Sequence, residues 1–155
     1  MADTPIKVGI LGLGRSGWGI HANMIGEIAD RFQVVAVTDE IADRRQQSAA
    51  ELGCQAYESV EALLADPAVE LVVVSTFNHF HAPHACQALA AGKHVLCEKP
   101  FGLTVADVDG MIARAKAAGK VLAPFQQRRY EPDFRKIQEV IASGILGEIV
   151  HIRIC

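Results

Sequence analysis

The chain has 155 residues and a mass of 16.7 kDa, the size of one domain or of one domain with part of a second. Half of its residues are apolar and 21% are charged, a composition that excludes a disordered chain. The 15 basic and 18 acidic side chains give a net charge of -3, so no basic excess predicts a nucleic-acid or anionic-membrane partner. The longest apolar runs, such as Leu71–Val74, are far below the ~20 residues of a membrane span.

The cysteines and the N-terminus indicate the compartment. Residues 1–5 are polar and carry no signal-peptide pattern. The four cysteines lie far apart, with no C-x-x-C motif among them: Cys54, Cys86, Cys97 and Cys155. Both features predict a reduced, cytoplasmic protein rather than a disulfide framework.

Short apolar strands alternate with helical patterns through the first four-fifths of the chain. Strands are predicted at residues 6–11, 34–38, 55–57, 69–75, 94–97 and 120–125. Helices are predicted at residues 16–31, 42–52, 59–65, 83–91 and 104–118. Single helices between strands imply parallel pairing, and the continuously apolar strands imply that both sheet faces are covered. The sequence therefore predicts a doubly wound parallel α/β sheet, a Rossmann fold, over residues 1–125.

The last 30 residues are not needed to complete such a sheet. A helix is predicted at 133–142, and residues 148–154 alternate like a half-exposed strand. We interpret 126–155 as a linker helix and the first strand of a truncated second α+β domain. Because an unpaired strand is a sticky edge, we expect this segment to promote association into a homo-oligomer.

A glycine-rich motif directly follows the first strand and opens the first helix. It consists of Gly12, Leu13, Gly14, Arg15, Ser16 and Gly17. In this G-x-G-x-x-G pattern, the first glycine permits a tight turn, the second admits a diphosphate and the third lets helix and strand pack closely. The helix N-terminus adds unpaired N–H groups. The alternative interpretation is an ordinary strand-to-helix turn.

Asp39 ends the second strand, 22 residues after Gly17. A carboxylate there accepts hydrogen bonds from ribose hydroxyls and repels a 2′-phosphate, which favours NAD over NADP. Arg44 and Arg45 keep NADP open, since a guanidinium can hold a phosphate, although such a pair is more often a solvated helix face. For Asp39 the alternative is a helix cap.

Further polar residues follow the fourth, fifth and sixth strands, where ligands bind in parallel sheets. They are Ser75, Thr76, Asn78, His79, His81, Glu98, Lys99, Pro100 and residues 126–129. Lys99 is the predicted catalytic residue, because an ammonium beside a nicotinamide stabilises negative charge on a substrate oxygen. A surface Glu-Lys pair is the alternative. His79, His81 and His84 lack a Cys, Asp or Glu nearby, so no metal is expected, and His84 is interpreted as an ordinary helix residue.

Together, the glycine motif, the turn at residues 75–78 with His81, and the Cys97–Pro100 segment resemble the Gfo/Idh/MocA oxidoreductases, over essentially the whole chain. The resemblance implies a nicotinamide-dependent dehydrogenase acting on a sugar, a polyol or a related cyclic alcohol. It implies a Lys99 that bridges cofactor and substrate and a cis bond before Pro100. The cofactor contacts that it implies are Gly12 to Gly17, Asp39, Ser75, Thr76, Phe77, Asn78, His81, Glu98 and Lys99, and we add Gln126 from its place after the sixth strand.

Two departures from that family affect the interpretation. Phe77 stands where the turn commonly has proline, and the family's second domain, with its substrate pocket and acid/base residues, is missing. We therefore expect a polypeptide that binds cofactor without turning over substrate. A non-catalytic NAD(P) sensor and an interaction module that has lost its cofactor remain as alternatives.

Overall fold

The computed structural model describes residues 4–153. The chain forms two compact units, the first ending at Phe125 and the second beginning at Gln126. None of the helices within 4–153 has the length and hydropathy needed to cross a membrane.

The first unit is built on a six-stranded parallel sheet in the order β3-β2-β1-β4-β5-β6. Its strands are β1 Ile6–Leu11, β2 Phe32–Thr38, β3 Gln55–Tyr57, β4 Leu71–Val74, β5 His94–Cys97 and β6 Leu122–Pro124. The strand order reverses between β1 and β4, so the carboxyl ends of these two strands border the crevice where ligands bind in such sheets. The predicted doubly wound fold is confirmed.

Five α-helices connect the strands: α1 Asn23–Glu27, α2 Ala42–Leu52, α3 Val60–Ala65, α4 His81–Ala90 and α5 Val105–Ala118. Sequence signals at their ends explain these limits. The Thr104 hydroxyl accepts the Asp107 N–H to start α5, and Gly119 ends it in the left-handed conformation at φ 62°.

Two apolar clusters cover the two faces of the sheet. Leu11, Val72 and Val74 pack on one face with side chains of α3, α4 and α5. Ile10 and Val73 point to the other face, where residues of α1 and α2 pack. Successive strand residues thus alternate between two buried faces, which explains why the strands are apolar throughout.

The first helix differs from the regular helix predicted at residues 16–31. Gly17–Ala22 is π-helical and α1 ends at Glu27. The helix is shorter because β2 already pairs with β1 at Phe32, opposite Ile6, so the chain must turn over residues 28–31. The wider π turn changes which side chains face the sheet.

The second unit contains a 3₁₀ turn at Gln127–Tyr130 and α6, Pro132–Ala142. The prediction of a strand at residues 148–154 is wrong for 148–153, which form no strand. Ile154 and Cys155 lie outside the described residues. An alternating sequence forms a strand only beside a partner, and Val150 is 88% exposed. The association expected through this segment stays a prediction.

Candidate functional site

A cavity of about 460 Å³ opens at the carboxyl ends of β1, β2 and β4. The loops that follow these strands supply most of its wall. Eight of the predicted cofactor contacts line it: Gly12, Gly14, Arg15, Ser16, Asp39, Ser75, Thr76 and Phe77. The structure therefore brings the glycine motif, the acidic residue after β2 and the turn after β4 to one place.

The glycine turn has little room for side chains. Gly12 has φ +84°, and a Cβ there would lie 2.7 Å from the Ser75 carbonyl oxygen. A Cβ on Gly17 would collide with the Gly12 carbonyl oxygen. By contrast, a Cβ on Gly14 would meet nothing within 4 Å, because this glycine faces the open cavity. The Ser75 hydroxyl donates to the Gly12 carbonyl at 2.7 Å and fixes the turn against β4.

Asp39 ties the end of β2 to the glycine turn. Its Oδ2 accepts the Leu13 N–H at 2.7 Å, and its Oδ1 accepts the Ile41 N–H at 2.9 Å. The Arg44 guanidinium lies 3.3 Å from Oδ2. The carboxylate thus holds the entry to α2 and lines the cavity at the same time, so a local structural role and a binding role are compatible at this residue.

The two arginines after Asp39 behave differently from each other. Arg45 is buried and donates from Nη1 to the Asp39 carbonyl at 2.7 Å, so the solvated-face interpretation is wrong for it. Arg44 is 43% exposed, forms an ion pair with the Asp39 carboxylate and lines the cavity. Only Arg44 is therefore placed to meet a ligand.

Phe77 has φ -65° and ψ 148°, which is the conformation that proline imposes. The replacement of the family's proline therefore leaves the backbone of this turn in the same region. The ring is 65% exposed and stacks on His79. Asn78, which starts the short 3₁₀ helix Asn78–Phe80, is also exposed.

Sequence reasoning missed Phe80 and His84 as cavity residues. Their rings stack with centroids 5.1 Å apart, and the Thr76 hydroxyl lies 3.1 Å from His84 Nδ1. Burial lowers the pKa of His84. The nearby carboxylates Glu61 and Glu40 raise this pKa, and the nearby His81 and His79 lower it further. The spacing of four residues between Phe80 and His84 was the available signal, since it predicts one helix face.

Glu98 and Lys99 form the turn after β5, and the bond between Lys99 and Pro100 is cis, as expected. Glu98 Oε2 accepts the Lys99 N–H at 3.1 Å. Its Oε1 lies 3.1 Å from Nε2 of His21, and both side chains are 4% exposed. Burial lowers the pKa of His21 although the Glu98 carboxylate opposes this. Neutral His21 therefore donates a hydrogen bond from Nε2 to the Glu98 carboxylate. The Lys99 side chain, in contrast to Glu98, is exposed.

Seven predicted contacts lie outside the cavity wall: Leu13, Gly17, Asn78, His81, Glu98, Lys99 and Gln126. His81 is 1% exposed, with its ring nitrogens on the carbonyls of Thr76 and Pro100. Gln126 is exposed and is the first residue of the second unit. Among residues 4–153, no three His, Cys, Asp or Glu side chains are grouped to hold a metal ion.

This chain is similar in sequence and in structure to known proteins. Residues 6–126 match the family described as "Oxidoreductase family, NAD-binding Rossmann fold", GFO_IDH_MocA. The chain is 35% identical over 150 residues to a myo-inositol 2-dehydrogenase of Thermotoga maritima, covering 96% of this chain and 44% of that protein.

Two solved structures show the same fold. One is the WlbA dehydrogenase of Bordetella pertussis in complex with NADH and UDP-GlcNAcA, with a TM-score of 0.89, 27% identity, and coverage of 96% of this chain and 43% of that one. The other is KijD10, a 3-ketoreductase of Actinomadura kijaniata with NADP, with a TM-score of 0.88, 29% identity, and coverage of 94% and 46%.

This chain spans less than half the length of each of these three relatives. The family match nevertheless extends over the complete parallel sheet and all three loops around the cavity. The chain thus belongs to the Gfo/Idh/MocA oxidoreductases and carries their NAD-binding Rossmann domain.

Proposed function

We propose that this chain is the cofactor-binding part of a dehydrogenase that transfers hydride between a nicotinamide and a hydroxyl carbon of a sugar, a polyol or a related cyclic alcohol. The observation that carries the proposal is the convergence of the glycine turn, Asp39 and the turn after β4 on one cavity. Relatives named as myo-inositol 2-dehydrogenase and D-glucoside 3-dehydrogenase support the substrate class.

The cavity fits a dinucleotide. Gly14 leaves its side of the turn open, while Gly12 and Gly17 hold the turn in a shape that no side chain at those positions would permit. The backbone N–H groups at the start of the helix, from Gly14 to Gly17, would hold the diphosphate, whereas the Leu13 N–H already donates to Asp39. Ser75, Thr76, Phe77 and Asn78 would border the cofactor from the opposite side.

Asp39 would hold the adenosine ribose and favour NAD. Its carboxylate adds negative charge where NADP carries its 2′-phosphate. Arg44 already rests on that carboxylate, so it must leave Asp39 before it can hold a phosphate. The Asp39 interaction therefore favours NAD and does not exclude NADP.

Lys99 would act on the substrate, and Glu98 would position it. Bound NAD supplies the hydride acceptor at C4 of its nicotinamide. The Lys99 ammonium would donate a hydrogen bond to the substrate oxygen and stabilise its negative charge. Glu98 is held by His21 and accepts the N–H of Lys99 itself, which supports a role in fixing the turn.

We propose that these 155 residues bind cofactor without turning over substrate, since each of the compared relatives is more than twice as long. A homo-oligomer and a cytoplasmic location remain part of the proposal. The spacing of the cysteines supports that location, and burial raises the pKa of the Cys97 thiol to about 12, so this thiol is unreactive.

The test is a titration with NADH that follows Trp18, the single tryptophan, which lies in the π-helical segment. We expect saturable quenching by energy transfer to the nicotinamide. Asp39→Ala removes charge-assisted hydrogen bonds worth about 1.5–3 kcal/mol, so affinity should fall roughly 10- to 100-fold.

Asp43→Ala is the matched control, because Asp43 is an exposed carboxylate in the first turn of α2. It should bind NADH like the wild type. The absence of saturable binding at millimolar NADH would refute the proposed function, and equal affinities of the two variants would refute the assignment of Asp39.

A further inference from the structure

His81 begins α4 and lies between two loops of the site. Its Nδ1 is 2.7 Å from the Pro100 carbonyl oxygen, and its Nε2 is 3.0 Å from the Thr76 carbonyl oxygen. Thr76 belongs to the loop after β4 and Pro100 to the turn after β5. The ring therefore bridges two segments that are separated in sequence and adjacent in the sheet.

Both partners of this ring are carbonyl oxygens, which only accept hydrogen bonds. A neutral imidazole has one N–H and one bare nitrogen, so one of the two contacts would bring lone pairs together within 3.0 Å. An imidazolium has two N–H groups and satisfies both carbonyls. With the side chain 1% exposed, water is not available to relieve the conflict.

We propose that His81 is a buried imidazolium and a positioning residue, whose two N–H groups clamp Thr76 to Pro100. Charge-assisted hydrogen bonds offset part of the cost of burying the charge. The clamp fixes the turn that carries Lys99 relative to the turn that lines the cavity. This inference concerns the protonation of the ring and holds whether or not the chain binds a dinucleotide.

Other histidines of the chain have partners that fit a neutral ring. His84 faces the Thr76 hydroxyl, which can either donate or accept. His94 Nδ1 lies 3.0 Å from the backbone nitrogen of Val121, whose N–H only donates, so this nitrogen carries no proton. His94 is thus an internal reference for an unprotonated ring nitrogen, against which His81 can be compared in one sample.

The test is long-range ¹H–¹⁵N NMR of the histidine-labelled chain at pH 7.5, where an exposed histidine is mostly neutral. We expect both ring nitrogens of His81 to show protonated shifts, while Nδ1 of His94 shows the shift of a bare nitrogen. His81→Gln assigns the signals by deleting one set, and His84→Gln deletes another. One protonated and one bare nitrogen at His81 would overturn the proposal.

The clamp itself has a separate measurement. A glutamine amide at position 81 donates from a single nitrogen, so it should release one of the two carbonyls. Backbone amide shifts should then change in both loops, at residues 76–78 and at Lys99 and Phe101, and stay unchanged around Asp39. Unchanged shifts in both loops would contradict the clamp. If His81→Gln does not fold, through-bond assignment of the wild-type ring still decides the protonation state.

Discussion

The two sides of the site are held by different kinds of contact. On the β1–β2 side, residues 12–17 and Asp39 are joined over short distances, mainly by backbone N–H groups and by glycines that leave room. On the β4–β5 side, His81 and the His21–Glu98 pair join distant parts of the chain through buried side chains. The first side depends on the shape of the backbone, and the second depends on the protonation of its side chains.

The largest effect is expected on the β4–β5 side, at Lys99. In a polypeptide that carries this chain and turns over substrate, Lys99→Met should lower kcat about 10²- to 10⁴-fold, because the substrate oxygen loses its hydrogen-bond donor. The affinity for NADH should change less than threefold. Steady-state kinetics and a binding titration check the two values, and turnover near the wild-type rate would show that Lys99 is not catalytic.

On the β1–β2 side, Gly17→Ala should abolish detectable NADH binding, a loss above 100-fold. The new Cβ collides with the Gly12 carbonyl oxygen, which forces the turn open and costs about 1–3 kcal/mol of stability. Calorimetry and chemical denaturation measure both effects.

Gly19→Ala is the matched control in the same π-helical segment, since a Cβ there meets nothing within 4 Å. It should bind normally and be as stable as the wild type or slightly more stable. Equal behaviour of the two variants would mean that the turn tolerates a side chain at Gly17.

Protonation should distinguish the two sides. Burial lowers the pKa of His21 from 6.5. Just below that pH, His21 is therefore protonated in the unfolded chain and still neutral in the folded chain. The contribution of His21 to the free energy of unfolding is therefore present above pH 6.5 and is lost as the pH falls through its folded pKa.

His21→Gln keeps a donor for Glu98 and removes this titration. Denaturant titrations between about pH 5 and 8 should show a smaller loss of stability on acidification than in the wild type. His151→Gln, at an exposed position, should leave the wild-type slope unchanged. The same slope in all three proteins would mean that the folded chain binds a proton at His21 as readily as the unfolded chain does.

The smallest effect is expected at Arg44. Arg44→Ala frees the Asp39 carboxylate and removes a possible phosphate partner, so NADH should bind up to about threefold more tightly and NADPH more weakly. Paired titrations give the ratio of the two affinities. A ratio that moves toward NADPH would contradict the placement of the ribose at Asp39.

The same contrast explains what the sequence could predict. The strand at Ile6–Leu11 and helix α2 have the predicted limits, because apolar periodicity and a terminal glycine are local signals. The glycine turn and Asp39 were found for the same reason, since their spacing is fixed by one strand-turn-helix unit.

Features that depend on distant partners were missed. The hydrogen bond between His21 and Glu98 joins residues 77 apart, and His21 lies in the π-helical segment Gly17–Ala22, which the sequence did not predict. Arg45 is buried and donates a hydrogen bond from Nη1 to the Asp39 carbonyl oxygen on the preceding loop. Residues 148–153 carry the alternating pattern but do not form a strand. The pattern alone therefore did not determine the structure.

The most direct test of the account is a crystal structure of this chain with NADH. We expect the diphosphate on the backbone N–H groups of residues 14–17, the adenosine ribose on the Asp39 carboxylate, and the nicotinamide on the side of Lys99. A dinucleotide bound elsewhere, or one with its nicotinamide at Asp39 and its adenine toward Lys99, would contradict the account.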